Sequence, residues 1–236
     1  MIYLFDVDGT LTSPMKEMDK SFVSFFSKWM KNKEVFLVAG SDIEKVKKQI
    51  PKKVLSKMSG VFCCMGNELR MKNKVIYSRE WLPDASIYWF LIQIRNTSKY
   101  ENKKDKWCEC RTGMMNFSIA GRSSSPKERQ LYSEWDKKKK ERIKFARDIE
   151  KEFPKLEARV GGQISIDIQP KNFNKSQASK WIRKNFKKQE MLFFGDKCQQ
   201  GGNDYDLCLD LEKNEDGKYH QVSHWKETRG ILQKLS

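Results

Sequence analysis

Asp6 and Asp8 stand two residues apart directly after the apolar run IYLF, and Ser41, Lys175 and Asp196 occur in AGSD, NKSQ and FFGD. A carboxylate such as Asp6 can attack phosphorus and form an aspartyl phosphate. Two anions repel as they approach, so a hard cation with oxygen ligands has to neutralise them, and Mg2+ suits that task. The side chains of Asp6 and Asp196 and the backbone carbonyl of Asp8 are the candidate ligands. The Asp8 side chain can face the leaving oxygen, acting as acid and then as base. Gly9 permits the tight turn beyond it. Ser41 can hydrogen-bond a phosphoryl oxygen, and Lys175 can neutralise charge that develops during transfer. A single D-x-D, or a single Asp after a strand, more often caps a helix or a turn. The weight lies in five such residues in this order, each at a strand end or helix start.

The elements that must position these groups are readable from hydrophobic periodicity. Residues 2–5, 34–39, 60–64 and 191–194 are short apolar runs and predict buried strands, while 16–32, 42–50 and 175–186 have helical spacing. Pro51 ends the second of these helices. Strand and helix alternate, which predicts a parallel sheet with helices on both faces. Ligands of such sheets bind beyond the carboxyl ends of the strands, where Asp6, Ser41 and Asp196 are expected to meet. The middle of the chain differs. Residues 106–120 predict an antiparallel hairpin around Arg111 and Gly113, a charged stretch from Pro126 to Phe153 predicts helix, and QISIDI at 163–168 alternates like a half-buried strand. The expected fold class is therefore α/β: a core from residues 1–77 and 172–236, with an α+β unit inserted at 78–171.

Composition excludes several other classes. The 236 residues contain no apolar run of the roughly 20 needed to span a bilayer. MIYLFDVDGT has no basic region ahead of a long apolar stretch, so no leader is read there and cytoplasm is the expected location. The six cysteines form neither C-x-x-C pairs nor a secreted disulfide framework and are read as reduced thiols. His220 and His224 have metal-like spacing but no second ligand pair. The net charge of +16 favours polyanionic partners in general. Much of the excess is Lys in runs such as Lys137 to Lys140, read as a solvated helix face. No nucleic-acid-binding motif accompanies it, so a basic nucleic-acid-binding protein is the lesser alternative.

LFDVDGTLT, the Ser of AGSD, the Lys of NKSQ and the FFGD…GGND segment resemble the four motifs of the haloacid dehalogenase superfamily. RTGMMNFSIAGRSSS, ERQLYSEWDKKKKERIKF and GGQISIDIQP look like the cap of the eukaryotic-type phosphomannomutases. The resemblance runs from Ile2 to about Trp225. It implies a Rossmann-like core with an α+β cap. It implies interconversion of mannose 6-phosphate and mannose 1-phosphate, on the route to GDP-mannose, through a phosphoaspartate primed by a hexose 1,6-bisphosphate. Asp6 is then the nucleophile and Asp8 the general acid/base, with Mg2+ on Asp6, the Asp8 carbonyl and Asp196. A second ion is implied near Asp204, Cys208 and Asp210. Arg111, Arg122 and Arg129 match positions that grip the distal phosphate, and Ser165 and Asp167 match positions that bind sugar hydroxyls. The latter are two apart on an expected strand and share a face. A homodimer joined through the caps is also implied.

Three departures stand out. Met15, beside Lys16, replaces an Arg of the family, Cys64-Met65-Gly66 with Asn67 replaces its usual Glu-Asn-Gly, and 211–218 reads as an insertion in the second-ion loop. A weakened distal grip would favour hydrolysis, so a sugar-phosphate phosphatase of the same superfamily is the main alternative.

Overall fold

The computed structural model describes every residue except Asn73, Lys188 and Ser236. Two sheets organise it. The larger has seven strands: β1 (Ile2–Phe5), β2 (Glu34–Val38), β3 (Gly60–Cys63), β4 (Glu68–Met71), β5 (Lys74–Ser78), β10 (Met191–Gly195) and β11 (Gly217–Gln221), in spatial order β11-β10-β1-β2-β3-β4-β5. The strands from β11 to β3 pair in parallel, and β4 and β5 add an antiparallel edge. The smaller sheet is antiparallel, in the order β6 (Cys108–Arg111), β7 (Met114–Ser118), β9 (Ser165–Pro170), β8 (Leu156–Gly161).

β1 is buried along its whole length because both of its faces meet apolar layers. Tyr3 and Phe5 join one core with Phe22, Val23, Phe26 and Trp29 of α1 (Lys20–Trp29), while Ile2 and Leu4 face another with Ala178 and Ile182 of α7 (Ser176–Asn185) and Leu207 and Leu211 of α8 (Tyr205–Asn214). The period-two alternation of a strand thus feeds two cores at once. Asp19 starts α1, its carboxylate accepting from the amides of Ser21 and Phe22. Asp42 does the same for α2 (Ile43–Gln49), accepting from the Lys45 amide at 2.9 Å, and α3 (Lys52–Leu55) follows Pro51. The chain closes with α9 (Trp225–Lys234).

The smaller sheet has its own core. Met115, Phe117, Ile166 and Ile168 pack against α4 (Ala85–Thr97), α5 (Pro126–Lys139) and α6 (Glu141–Glu152) through Ile87, Leu91, Tyr132, Phe145 and Ile149. The stretch 126–153, expected to be helical throughout, is two helices. Lys140 takes the left-handed conformation at φ 54° and breaks it, while Lys137 to Lys140 are exposed. Residues 211–218, read from the sequence as an insertion in the second-ion loop, are the end of α8, a left-handed turn at Glu215 and the start of β11. Among the described residues, no helix is long and apolar enough to cross a membrane.

Candidate active site

The parallel register of β10, β1 and β2 brings their carboxyl ends side by side, with Phe5 opposite both Phe194 and Leu37. The amide of Asp6 donates to the Phe194 carbonyl at 2.9 Å, which fixes that side chain at the sheet edge. Beyond it, the amides of Leu11 and Thr12 return to the Val7 carbonyl in a tight turn. Gly9 in this turn has φ +83°, and a Cβ there would lie 2.6 Å from Asp196 Oδ2. Glycine is therefore required both by the backbone and by the approach of the acidic group.

Asp6, Asp196 and Asp204 each present a carboxylate oxygen within 4.8 Å of the others. Lys175, fully buried, donates to Asp6 Oδ1 at 2.5 Å and to Asp204 Oδ1 at 2.6 Å. It sits at the start of α7, where Asn174 Oδ1 accepts from the Ser176 amide at 3.1 Å. Lys197 donates to Asp196 Oδ2 at 2.8 Å through its ammonium and to Asp204 Oδ2 at 3.0 Å through its amide. Burial pushes the Asp6 carboxyl up to about 8; Lys175 opposes the shift, and Asp204 and Asp196 add to it. Burial alone would lower Lys175, yet Asp204 and Asp6 outweigh it and hold the ammonium charged. Three carboxylates with hard oxygen donors at this spacing fit a divalent cation such as Mg2+.

Asp8 Oδ1 accepts from Gln49 Nε2 at 2.7 Å and from the amide of Met15 at 2.8 Å. Met15 reaches that position with φ 60° and leaves its side chain half exposed at the cleft rim. Met65, in the second of the three departures, also has positive φ, at 63°, within the 3-10 turn Cys64–Gly66, and its amide donates to the Ala39 carbonyl at 3.0 Å.

The opposite wall of the cleft comes from the smaller sheet and its loops. Arg111 ends β6, Arg122 follows β7, and Arg129 lies in the first turns of α5, after the Ser125–Glu128 capping box. Arg111 Nη1 donates to the Gly40 carbonyl at 3.0 Å, Arg122 Nε to Glu109 Oε2 at 3.1 Å, and Arg129 to the carbonyls of Ser124 and Arg122 at 2.8 and 2.5 Å. Burial lowers Arg122, and neighbouring Arg111 lowers it further; burial and then Arg122 lower Arg129. Guanidinium groups crowded in this way favour an anion between them. Asp167 accepts from Asn116 Nδ2 at 2.6 Å, its cross-strand partner in the β7–β9 register. Burial raises its carboxyl against the nearby Arg111.

Asp6, Asp8, Ser41 and Asp196 of the larger unit line one cleft with Arg111, Arg122, Arg129, Ser165 and Asp167 of the smaller. Lys175 lies beneath it, behind Asp6. Cys208 and Asp210 are elsewhere. Cys208 packs in the apolar core on the α7–α8 side, where its free thiol is pushed up by a hydrogen bond with the Cys198 thiol and by burial. Asp210 is held by Ser179 at 2.6 Å and Arg183 at 2.9 Å. They are not brought together with Asp204 as a second ion site: Asp204 turns instead toward Lys175 and Asp6. Asn116, Asn203, Lys197 and Gln49 were not singled out from the sequence. The Asn116–Asp167 pairing was latent in the strand register, and Asp204 in its position after the turn that follows β10. Gln49 gave no signal, since it looks like an ordinary polar residue at the end of α2.

A parallel-sheet core with a carboxylate cluster at its strand ends, facing a separate sheet across a cleft, is a haloacid-dehalogenase-type fold. The solved structure of a sugar phosphatase of that superfamily superposes with a TM-score of 0.60 at 14% identity, covering 99% of this chain and 97% of that one. The family model described as eukaryotic phosphomannomutase matches residues 22–235. A phosphomannomutase of Drosophila melanogaster is 31% identical over 100% of this chain and 95% of its own length, and one of Triticum aestivum is 33% identical over 88% and 85%. The chain belongs to the eukaryotic phosphomannomutase family.

Proposed function

We propose that the chain is a Mg2+-dependent hexose phosphomutase that interconverts mannose 6-phosphate and mannose 1-phosphate and carries the phosphoryl group on Asp6. The supporting observation is a cleft lined on one wall by Asp6 and Asp196, with Lys175 and Asp204 buried beneath them, and on the other by Arg111, Arg122 and Arg129. A hydrolase needs only the first wall, whereas a mutase holds one phosphate while transferring another.

Asp6 attacks phosphorus, and the phosphoryl group passes from a hexose 1,6-bisphosphate to its carboxylate. Asp8, held by Gln49 and the Met15 amide, gives a proton to the departing sugar oxygen and takes one from the incoming hydroxyl. Ser41 bonds the phosphoryl oxygens, and Lys175 orients Asp6 and opposes the burial-driven rise of its carboxyl. Asp6, the Asp8 carbonyl and Asp196 are the proposed Mg2+ ligands; the ion would offset charge between the attacking carboxylate and the phosphoryl group. The three arginines hold the distal phosphate, and Ser165 and Asp167 the sugar hydroxyls. Residues 78–171 act as the cap that excludes water.

We further propose a cytoplasmic homodimer formed through this cap, where Leu82 and Trp89 are 87% and 66% exposed. Sedimentation of the wild type and of Trp89→Glu tests the dimer; a wild-type monomer would contradict it. The nucleophile is tested by incubating the protein with glucose 1,6-bisphosphate and Mg2+, reducing the acyl phosphate with borohydride and mapping the peptide. Modification at Asp6, lost in Asp6→Asn, is expected; modification elsewhere would overturn the assignment.

A further inference from the structure

We propose that Lys45 and Glu109 form a positioning pair that aligns the distal-phosphate arginines only when the two units are closed on each other. The inference rests on the mutase reading for the identity of the anion that those arginines hold. Neither residue lines the cleft.

Glu109 projects from β6, an edge strand of the smaller sheet, and one of its oxygens serves two guanidinium groups. Oε2 accepts from Arg122 Nε at 3.1 Å and from Arg111 Nη2 at 3.4 Å. Its other oxygen takes the ammonium of Lys45. Lys45 belongs to α2 of the larger unit and lies 3.3 Å from Asp42, the residue that caps that helix. Asp42 Oδ2 is in turn 4.0 Å from Arg111 Nε, a buried donor with no hydrogen-bond partner among the described residues. Charges therefore alternate across the seam, from Arg122 through Glu109 and Lys45 to Asp42. The Glu109 carboxylate works against partial burial and is held down to about 2, chiefly by Arg111 and Lys45. It is ionised throughout the physiological range.

This arrangement has a directional consequence. Arg111 and Arg122 are on the smaller unit and would be mutually repelled without Glu109 between them. Glu109 gets its third cation only from the other unit. Opening the cleft removes Lys45 from Glu109 and breaks the bond from Arg111 to the Gly40 carbonyl, so the carboxylate and the Arg111 guanidinium lose the contacts that register them against the larger unit. Closing restores the shared geometry at the moment when the phosphoenzyme must be shielded from water. The pair therefore sets how the phosphoenzyme partitions between transfer to sugar and hydrolysis.

The test uses the full chain with saturating Mg2+, comparing wild type, Lys45→Met and Lys45→Arg. Mannose 1-phosphate is supplied with glucose 1,6-bisphosphate, and mannose 6-phosphate and free phosphate are measured together. Lys45→Met should raise the ratio of free phosphate to isomer on the order of tenfold and raise KM more than it lowers kcat. Lys45→Arg should restore most of both. Lys45 is partly exposed on a helix surface, so a cooperative melting transition within several degrees of wild type shows that the variant is folded. An unchanged ratio and KM in folded Lys45→Met would overturn the proposal. A wild type that shows no isomerisation at all would instead sink the mutase reading. The KM of its phosphatase reaction would then still report on the pair, rising in Lys45→Met if the pair aligns the arginines and not if it does not.

Discussion

The ammonium of Lys175 lies 2.5 Å from Oδ1 of Asp6, with the lysine fully buried and the aspartate 5% exposed. A charge placed so deep is stable only while its partners are charged as well, and Asp204 supplies the second of them at 2.6 Å. Replacing Lys175 with Met leaves Asp6 and Asp204 as neighbouring buried acids. The expected cost is about 3–5 kcal/mol of stability at neutral pH, read by denaturant unfolding, with near-complete loss of turnover. A Lys175→Met protein as stable and as active as wild type would contradict this pairing.

Asp8 differs from Asp6 in accepting only neutral donors, Gln49 Nε2 and the Met15 amide, both on Oδ1. An Asn can keep the same acceptor. Asp8→Asn is therefore expected to fold normally and to lose roughly 10²–10⁴-fold in kcat, the usual contribution of a positioned acid/base. Circular dichroism and steady-state kinetics on one preparation check both halves. Retained kcat would remove Asp8 from the proton transfers.

Met15 meets Asp8 only through its backbone amide, and its side chain is half exposed at the rim. Met15→Arg keeps that amide and adds a guanidinium beside the cleft. A several-fold lower KM for the sugar phosphate is expected, with kcat little changed, and a higher KM would count against a substrate facing this rim. Charge-assisted bonds to phosphate are worth about 1.5–3 kcal/mol, but exposure here reduces that.

The Glu109 carboxyl sits near 2 in the folded chain against an ordinary 4.5, because Arg111 and Lys45 outweigh its partial burial. Its folded value is depressed, so its stabilisation is fully present above about pH 4.5 and is lost as pH falls toward 2. Lys45, Arg111, Arg122 and, more remotely, Asp42 are the charges that face it. After discounting for its partial exposure the contribution is about 1–2 kcal/mol. Glu109→Gln should therefore lower stability at pH 7 and flatten the acid limb of the melting-temperature profile. A parallel profile for the two proteins would contradict the assignment.

How much of this was legible before the structure differs from element to element. The runs IYLF, EVFLV and MLFF are apolar on both faces, so their assignment as buried parallel strands needed no tertiary information. Placing Asp6, Ser41 and Asp196 beside one another then followed from the rule for strand ends. The break at Lys140 was hidden because a run of lysines continues a helix as readily as it ends one. Asp204 and Cys208 are close in sequence, yet Cys208 packs in the apolar core with Leu207 and Leu211 while the Asp204 carboxylate is taken by Lys175 and the Lys197 amide. The Lys45–Glu109 pair joins residues 64 apart on different units, and only the closed geometry brings them into contact.

The cleft is proposed to isomerise a hexose phosphate rather than merely hydrolyse it. The most direct measurement is a coupled assay of the purified protein with mannose 1-phosphate and Mg2+, with and without glucose 1,6-bisphosphate, following free phosphate in parallel. Bisphosphate-stimulated formation of mannose 6-phosphate with little free phosphate, abolished in Asp6→Asn, is the expected result. Phosphate release without isomerisation, indifferent to the bisphosphate, would contradict it and make the protein a sugar-phosphate phosphatase.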